Sequence, residues 1–238
     1  MKNDQEYLEK RGCISQKKLF EFKQMTKEEL LTQLDGDPIT RTSCIYFFSA
    51  KFHNDADFTN VLLNQLIHET AINARIEIQD NLATYGNVYE MCQFLGKVGH
   101  NQHREIPPRV SLKKSYPLPR DLVARSLGHA EGKVYPDFLK AMKTLNRDQL
   151  LEGIDAFGFF CFYNRDVVDQ QAYQLIEDFV HQYENDELMT WKLTICLSAF
   201  PQSVPLLSEI KNKQKHPTIQ AEVERSLMII ERLNNRSN

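Results

Sequence analysis

The side chains best suited to chemistry form an acidic and aromatic stripe near the middle of the chain. Glu152, Asp155, Phe159 and Tyr163 recur at intervals of three or four residues, so they share one face if the segment is helical. Such a stripe can serve as a ligand-binding surface. The alternative is a half-covered helix edge whose carboxylates face water or pair with a neighbouring element.

A second candidate is the irregular segment 97–119, which contains four prolines and is rich in cations. Between Lys97 and Arg125 the chain carries seven positive and two negative side chains, although its formal net charge is −3. A connection of this length is uncommon in a compact domain and is often functional. Its cations suit a phosphate or an acidic partner peptide. The alternative is a solvated loop that docks on the protein's own acidic faces.

These two features supply the predicted binding residues. From the basic segment and the residues just after it they are Arg104, Arg109, Lys113, Lys114, Arg120 and Arg125, and from the stripe they are Asp155, Phe159 and Tyr163.

Other kinds of site find little support in the sequence. His100 and His103 lie in the basic segment with Cys92 upstream, which is too few ligands for a metal ion. Neither a nucleophile elbow, a P-loop nor a dinucleotide-binding fingerprint is present. We therefore expect no catalytic residues, no metal and no cofactor.

The stripe requires a helix, and the surrounding residues predict one over 148–164. Leu150, Ile154, Phe157 and Cys161 follow at spacings of four, three and four, which defines a buried face. Asn146 and Asp148 can accept hydrogen bonds from free N–H groups at the helix start. The small residues Gly153, Ala156 and Gly158 would let a neighbouring element approach closely.

Similar helices recur in pairs along the chain, and strand patterns are nearly absent. The second helix of each pair is predicted to begin near Thr40, Thr70, Pro119, Arg147, Glu187 and Pro217, a mean spacing of about 35 residues that suits helical repeats. Thr26 and Glu29 fit a capping box. Ser15 can cap a short helix nearer the amino terminus.

Two stretches resemble HEAT repeats. SVPLLSEIKNKQKHPTIQAEVERSLMIIERL, residues 203–233, has Pro205 in its first helix, and VYPDFLKAMKTLNRDQLLEGIDAFGFFCF, residues 134–162, has Pro136 in the matching place. The resemblance to the HEAT/armadillo-like superfamily implies an all-α fold: a right-handed α-solenoid of about six helix pairs in a single domain over 1–238. It also implies a concave surface lined by the second helices.

The function expected from these features is a non-enzymatic protein-binding or scaffold module, with a protein or peptide partner on the concave face. The alternative is a resemblance to HEAT-like glycosylases that act on alkylated DNA bases. Asp155 would then imitate the catalytic aspartate, with Phe159 and Tyr163 as walls and Arg120 or Arg125 contacting phosphate. Those enzymes use several tryptophans, whereas this chain has one and is net acidic. Nucleic acid is therefore the less expected partner.

Composition limits where the chain is expected to act. Its longest apolar run is far shorter than the roughly 20 residues that span a bilayer, and no secretory signal is recognisable at the start. Five cysteines occur without a CxxC pair, which is typical of reduced, buried thiols. We therefore expect a cytoplasmic protein without a membrane partner.

Overall fold

The computed structural model describes residues 7–14 and 20–237, and the regular elements of this part of the chain are helices, with no strand. The all-α prediction is confirmed. Ser15 lies outside the described residues. The chain divides into two compact units, residues 1–91 and residues 92–238. The single domain expected over 1–238 stays a prediction.

Four helices of the first unit lie between Lys27 and Tyr85, and the residues described before them include helical residues at 7–10 and 20–22. The four helices are α1 (Lys27–Thr32), α2 (Pro38–Phe52), α3 (Phe58–His68) and α4 (Ile72–Tyr85). Thr26 and Glu29 form the reciprocal capping box at the start of α1. The Asp37 side chain accepts from the Thr40 N–H, with Pro38 in the first turn of α2. Helix α2 packs against α1, α3 and α4.

A buried ion pair fixes the start of α4. The Glu69 carboxylate accepts two hydrogen bonds from Arg41, at 2.8 and 2.7 Å, and two from the N–H groups of Thr70 and Ala71, at 2.8 and 2.7 Å. Both carboxylate oxygens are therefore satisfied, which is what makes burial of this charge tolerable. Burial raises the pKa of Glu69, but the hydrogen bonds from Arg41 and Ala71 more than offset it and hold the pKa below its usual value.

Helix α5 (Val88–Gln93) spans the division, and seven further helices lie in the second unit. They are α6 (Leu122–Gly128), α7 (Tyr135–Met142), α8 (Arg147–Tyr163), α9 (Gln170–Gln182), α10 (Glu187–Leu197), α11 (Val204–Lys213) and α12 (Pro217–Ser237), with 3-10 turns at Gly132–Val134 and Pro201–Ser203. Helix α8 packs against α6 and α10, and α10 packs against α12. Helices α7, α9 and α11 each pack against the helix that follows them.

The predicted helix starts agree with the structure within three residues. Predicted starts near Thr40, Thr70 and Pro119 correspond to α2, α4 and α6, and the last three coincide with the first residues of α8, α10 and α12. Boundary residues account for the agreement at α2, α6, α8 and α10, where the N-cap side chain accepts a hydrogen bond from the first turn.

Helix α8 forms the core of the second unit. Asn146 accepts from the Gln149 N–H in a capping box, as the sequence predicts for the cap. Ile154, Phe157 and Phe160 are fully buried. The burial extends around most of the helix because α6, α7 and α10 contact it from different sides.

Two further sequence expectations concern membranes and thiols. Among the described residues, no helix combines the length and apolar character needed to cross a bilayer. All five cysteines are free thiols; Cys13 is half-buried and the other four are buried.

Candidate functional site

The irregular segment 97–119 is attached to the second unit through its main chain. Arg225 of α12 donates to the carbonyl oxygens of Lys113 (3.2 Å) and Ser115 (2.9 Å). Glu222, three residues earlier, accepts from the same guanidinium at 2.5 Å. Arg225 and Glu222 are both buried, so the arginine has a matched charge and partners for its planar donors. Arg225 thus holds the segment by its carbonyl groups, and none of the segment's cations forms an ion pair with a residue that the structure describes.

A buried tyrosine provides the second attachment. Tyr116 packs edge-on against Phe159, with ring centroids 6.1 Å apart, and against Phe162 at 5.6 Å. It lies over Gly158 of α8, where a Cβ atom would be 1.9 Å from the Tyr116 hydroxyl oxygen and 2.7 Å from its ring. The sequence predicted that small residues in α8 admit a close neighbour. At Gly158 the close neighbours include Tyr116, which belongs to the irregular segment.

The start of the segment is tied to the cap of α6. The Gln102 amide donates to the Val98 carbonyl (2.7 Å) and to the Asp121 carboxylate (2.9 Å). Asp121 is fully buried and also accepts from the N–H groups of Ala124 (2.8 Å) and Gly96 (3.2 Å). Burial raises the pKa of Asp121, partly offset by these hydrogen bonds. Both ends of the segment are therefore anchored by buried polar groups.

The docked segment and three helices enclose a pocket of about 320 Å³, here called the basic pocket. Helix α8 contributes Asp155, α10 contributes Trp191 and Ile195, and α12 contributes Glu222 and Arg225. The segment and the residue just after it contribute His103, Pro107, Arg109, Val110, Ser111, Lys113, Pro117, Leu118 and Arg120.

A fully buried lysine lies behind the basic pocket. The Lys192 ammonium donates to the Leu151 carbonyl at 2.8 Å, to Glu152 Oε1 at 3.0 Å and to Asp155 Oδ2 at 2.9 Å. An ammonium group has three N–H donors, so all of them are used. Burial opposes the charge, but the two carboxylates more than offset it and raise the pKa of Lys192 above its ordinary value.

The two carboxylates that bind Lys192 differ in their surroundings. Asp155 is half-buried and reaches the pocket, whereas Glu152 is buried and its Oε2 has no hydrogen-bond partner among the described residues. Burial raises the pKa of Glu152 to about 7; the Lys192 charge opposes that rise and the Asp155 charge adds to it. Glu152 thus takes up or loses a proton near neutral pH.

The pKa of His103 is shifted in the opposite direction to that of Glu152. Its ring lies edge-on to Trp191, with centroids 4.9 Å apart. Burial, together with the charges of Arg120 and Lys192, lowers the pKa of His103 to about 4, against the opposing effect of Asp155. At neutral pH His103 is therefore an uncharged wall of the pocket.

The charges of the basic pocket do not balance. Its two acidic residues already have cationic partners, since Asp155 binds Lys192 and Glu222 binds Arg225. Three exposed cations of the wall form no ion pair with any residue that the structure describes: Arg109, Lys113 and Arg120. The pocket wall consequently presents three cations without an ionic partner among the described residues, while Lys192 behind it serves both Asp155 and Glu152.

Four of the nine predicted binding residues meet in this pocket: Arg109, Lys113, Arg120 and Asp155. Arg104 lies in a separate depression beside the start of α8. Lys114 is exposed outside the pocket. The Arg125 guanidinium donates to the Pro119 carbonyl at 3.2 Å, which gives it a role in the backbone turn.

The aromatic members of the stripe lie elsewhere. Phe159 is buried against Gly128, His129 and Tyr116, and Tyr163 is exposed at the end of α8. Of the stripe, only Asp155 lines the pocket.

Sequence reasoning missed several residues of the site. Trp191, Lys192, Glu222 and Arg225 are not among the predicted binding residues. Two signals were available: a lysine inside the apolar run LMTWKLTICL, and an acid and an arginine three apart on the buried stripe of α12.

The described residues contain no group of three or more His, Cys, Asp or Glu side chains placed to hold a metal ion.

No protein-family model, curated protein or solved structure shows significant similarity to this chain.

The close contact between Tyr116 and Gly158 leads to a prediction with a matched control. Gly158→Ala should destabilise the protein by about 1–3 kcal/mol, because the added Cβ overlaps a buried ring. Gly153→Ala, in the same helix, should be close to neutral. Its Cβ would meet the ends of the Leu145, Met142 and Leu95 side chains, at 2.7, 3.2 and 3.6 Å, and these flexible ends can shift. Helix propensity also gains up to about 1 kcal/mol.

Urea unfolding measures both effects, and limited trypsin digestion at Lys113 and Lys114 reports whether the segment detaches. Equal losses of stability in the two variants, or equal rates of cleavage by trypsin, would contradict the close contact between Tyr116 and Gly158.

Glu152 leads to a prediction about pH. Because its pKa is higher in the folded protein (about 7) than in the unfolded chain (about 4.5), the folded state binds more protons between these values. This stabilising contribution is complete below pH 4.5 and is lost as the pH rises through 7. Relative to Glu152→Gln, the wild-type protein should therefore lose roughly 1–3 kcal/mol of stability from pH 5 to pH 8.

Chemical unfolding at a series of pH values gives this difference. Glu224→Gln removes an exposed carboxylate of α12 and should leave a curve parallel to the wild type. Parallel curves for wild type and Glu152→Gln would refute the assignment.

Proposed function

We propose that this chain is a HEAT-like α-solenoid module that binds an acidic segment of a protein partner in the basic pocket. The observation that carries the proposal is the convergence of Arg109, Lys113 and Arg120 on one pocket whose acids are already paired. Such an excess of charge attracts an anionic group, and it steers the encounter between the partners.

The helix packing within each unit supports the solenoid. In the second unit α6, α8, α10 and α12 succeed one another as neighbours, while α9 and α11 pack on the helices that follow them. In the first unit α2 and α4 are neighbours in the same alternating way. Nearest-neighbour stacking of helix pairs is the packing expected of such an array.

The dimensions of the basic pocket favour a single group over a broad surface. Its volume of about 320 Å³ is at the small end of the range for ligand pockets, roughly 300–1,000 Å³. One or two side chains of a partner would fill it. The expected complex is salt-sensitive, because the three cations are exposed and salt screens their attraction.

Charge reversal tests this function. The triple variant Arg109→Glu, Lys113→Glu, Arg120→Glu should lower capture of the partner by about tenfold or more, since it replaces attraction with repulsion. The control reverses three exposed lysines of the same unit outside the pocket: Lys114, Lys143 and Lys215. The measurement is affinity capture from a native cell extract at low and moderate salt, with mass spectrometry of the retained proteins.

A partner that is retained by the control and lost by the pocket variant supports the function, provided that circular dichroism shows both variants folded. A pocket variant that retains the same proteins as the wild type would refute it.

A second candidate function is a glycosylase that removes alkylated bases from DNA. The observation favouring it is that Asp155 shares the pocket with Trp191, Arg109 and Arg120, which together offer a carboxylate, an aromatic wall and phosphate-binding cations. Against it, the Asp155 carboxylate is occupied by Lys192.

Under this second candidate, Asp155→Asn should abolish release of an alkylated base. The fold should survive, because Lys192 keeps Glu152 and the Leu151 carbonyl. The measurement is chromatography of free bases from alkylated duplex DNA. No release by the wild-type protein would exclude the activity.

A further inference from the structure

We propose that the group recognised by the basic pocket is a phosphomonoester dianion carried on the hydroxyl of an aromatic side chain of the partner, as in phosphotyrosine. This inference rests on the proposed protein-binding function and makes its ligand chemically specific. It distinguishes a phosphorylated side chain from the carboxylates of an ordinary acidic segment.

The first argument is charge. Arg109, Lys113 and Arg120 contribute three positive charges that the protein itself does not neutralise. A carboxylate would supply one negative charge, whereas a phosphomonoester supplies about 1.5 to 2 at neutral pH and offers three acceptor oxygens. Arginine also binds phosphoryl oxygens in pairs through its planar donors. The dianion therefore matches the pocket better than a single carboxylate.

The second argument is the division of the pocket wall into polar and apolar parts. Besides its cations, the wall contains Trp191, Ile195 and Leu118, with prolines 107 and 117. A free phosphate ion would leave these apolar groups uncovered. A phosphate joined to an aromatic stem would bury them, which adds free energy in proportion to the apolar area removed from water.

The third argument concerns hydrogen-bond donors without acceptors. Trp191 is only 4% exposed, and its indole Nε1–H finds no acceptor among the residues the structure describes. Ser111 accepts from the Lys113 N–H at 3.2 Å, which leaves its hydroxyl proton available to donate. Both residues line the pocket. Because the Trp191 Nε1 atom is itself buried, the indole ring serves as an apolar wall, and the donor available to the acceptor oxygens of a ligand is the Ser111 hydroxyl. A phosphoryl dianion has no donor that would compete with it.

The probes that test this inference differ in one property at a time. Phenyl phosphate carries the proposed dianion on an aromatic ring, phenyl sulfate has the same shape with a single negative charge, and inorganic phosphate lacks the ring. Isothermal titration calorimetry gives the affinities. Trp191 is the chain's one tryptophan and lines the pocket, so its fluorescence reports occupation of this site.

We expect phenyl phosphate to bind about tenfold more tightly than either comparison compound, since one lost charge-assisted contact corresponds to about a factor of ten. Arg109→Gln and Arg120→Gln should each weaken phenyl phosphate binding by roughly tenfold. Lys114→Gln, beside the pocket but outside its wall, should leave the affinity unchanged. Equal affinities for phenyl phosphate and phenyl sulfate would overturn the inference.

Two peptides separate failure of this inference from failure of the proposed function. One contains a single phosphotyrosine, and the other is glutamate-rich with the same net charge. Tighter binding of the phosphopeptide, lost in Arg120→Gln, supports the inference. Equal binding of both peptides overturns it and leaves the function standing, whereas binding of neither overturns both.

The remaining outcomes concern the source of the phosphate. If free phenyl phosphate binds more tightly than the phosphopeptide, the ligand is a small molecule and a phosphorylated partner is excluded. If a single-stranded DNA oligonucleotide binds more tightly than the phosphopeptide, the ligand is a phosphodiester, which also contradicts the inference.

Discussion

The second unit depends on one buried ammonium group. Lys192 has no solvent contact, and each of its three donors meets an oxygen of α8. Removing water from a charge is costly, and only complete pairing makes it tolerable. Because the partners lie in one turn of α8, the arrangement sets the register of α10 against α8. It also supplies a cationic partner, shared with Glu152, for the Asp155 carboxylate that lines the pocket.

The contrast with the first unit shows what is unusual about this cluster. Glu69 is buried too, but both of its oxygens are satisfied and its pKa is lowered. Glu152 shares its lysine with Asp155 and keeps one unpartnered oxygen, so its pKa rises to about 7. Burying two carboxylates against one cation leaves one of them poorly compensated. Glu69 and Arg41 therefore form a structural ion pair. Glu152, by contrast, makes the stability of the second unit depend on pH.

The helices were predictable from sequence because the residues that determine each helix lie within it or next to it along the chain. Asn146 caps α8 and Thr26 caps α1 through residues three positions away, and the apolar spacing identifies the buried faces. The site was only partly predictable because it depends on distant pairs. Arg225 binds carbonyls more than a hundred residues away, and Tyr116 reaches Gly158 through space. Glycine at 158 indicates that some element approaches closely, but neither its residue type nor that of Ser115 identifies the distant partner.

The way the irregular segment docks explains why its charges remain available. Its attachments use main-chain carbonyls, a neutral ring and the Gln102 amide. Arg125, just beyond the segment, is the cation used for the backbone turn at Pro119. Arg109, Lys113 and Arg120 contribute nothing comparable to folding among the described contacts, yet their mutual repulsion opposes docking. In the proposed function, an anionic ligand would offset this repulsion and pair the three cations that the protein leaves unpaired among its described residues.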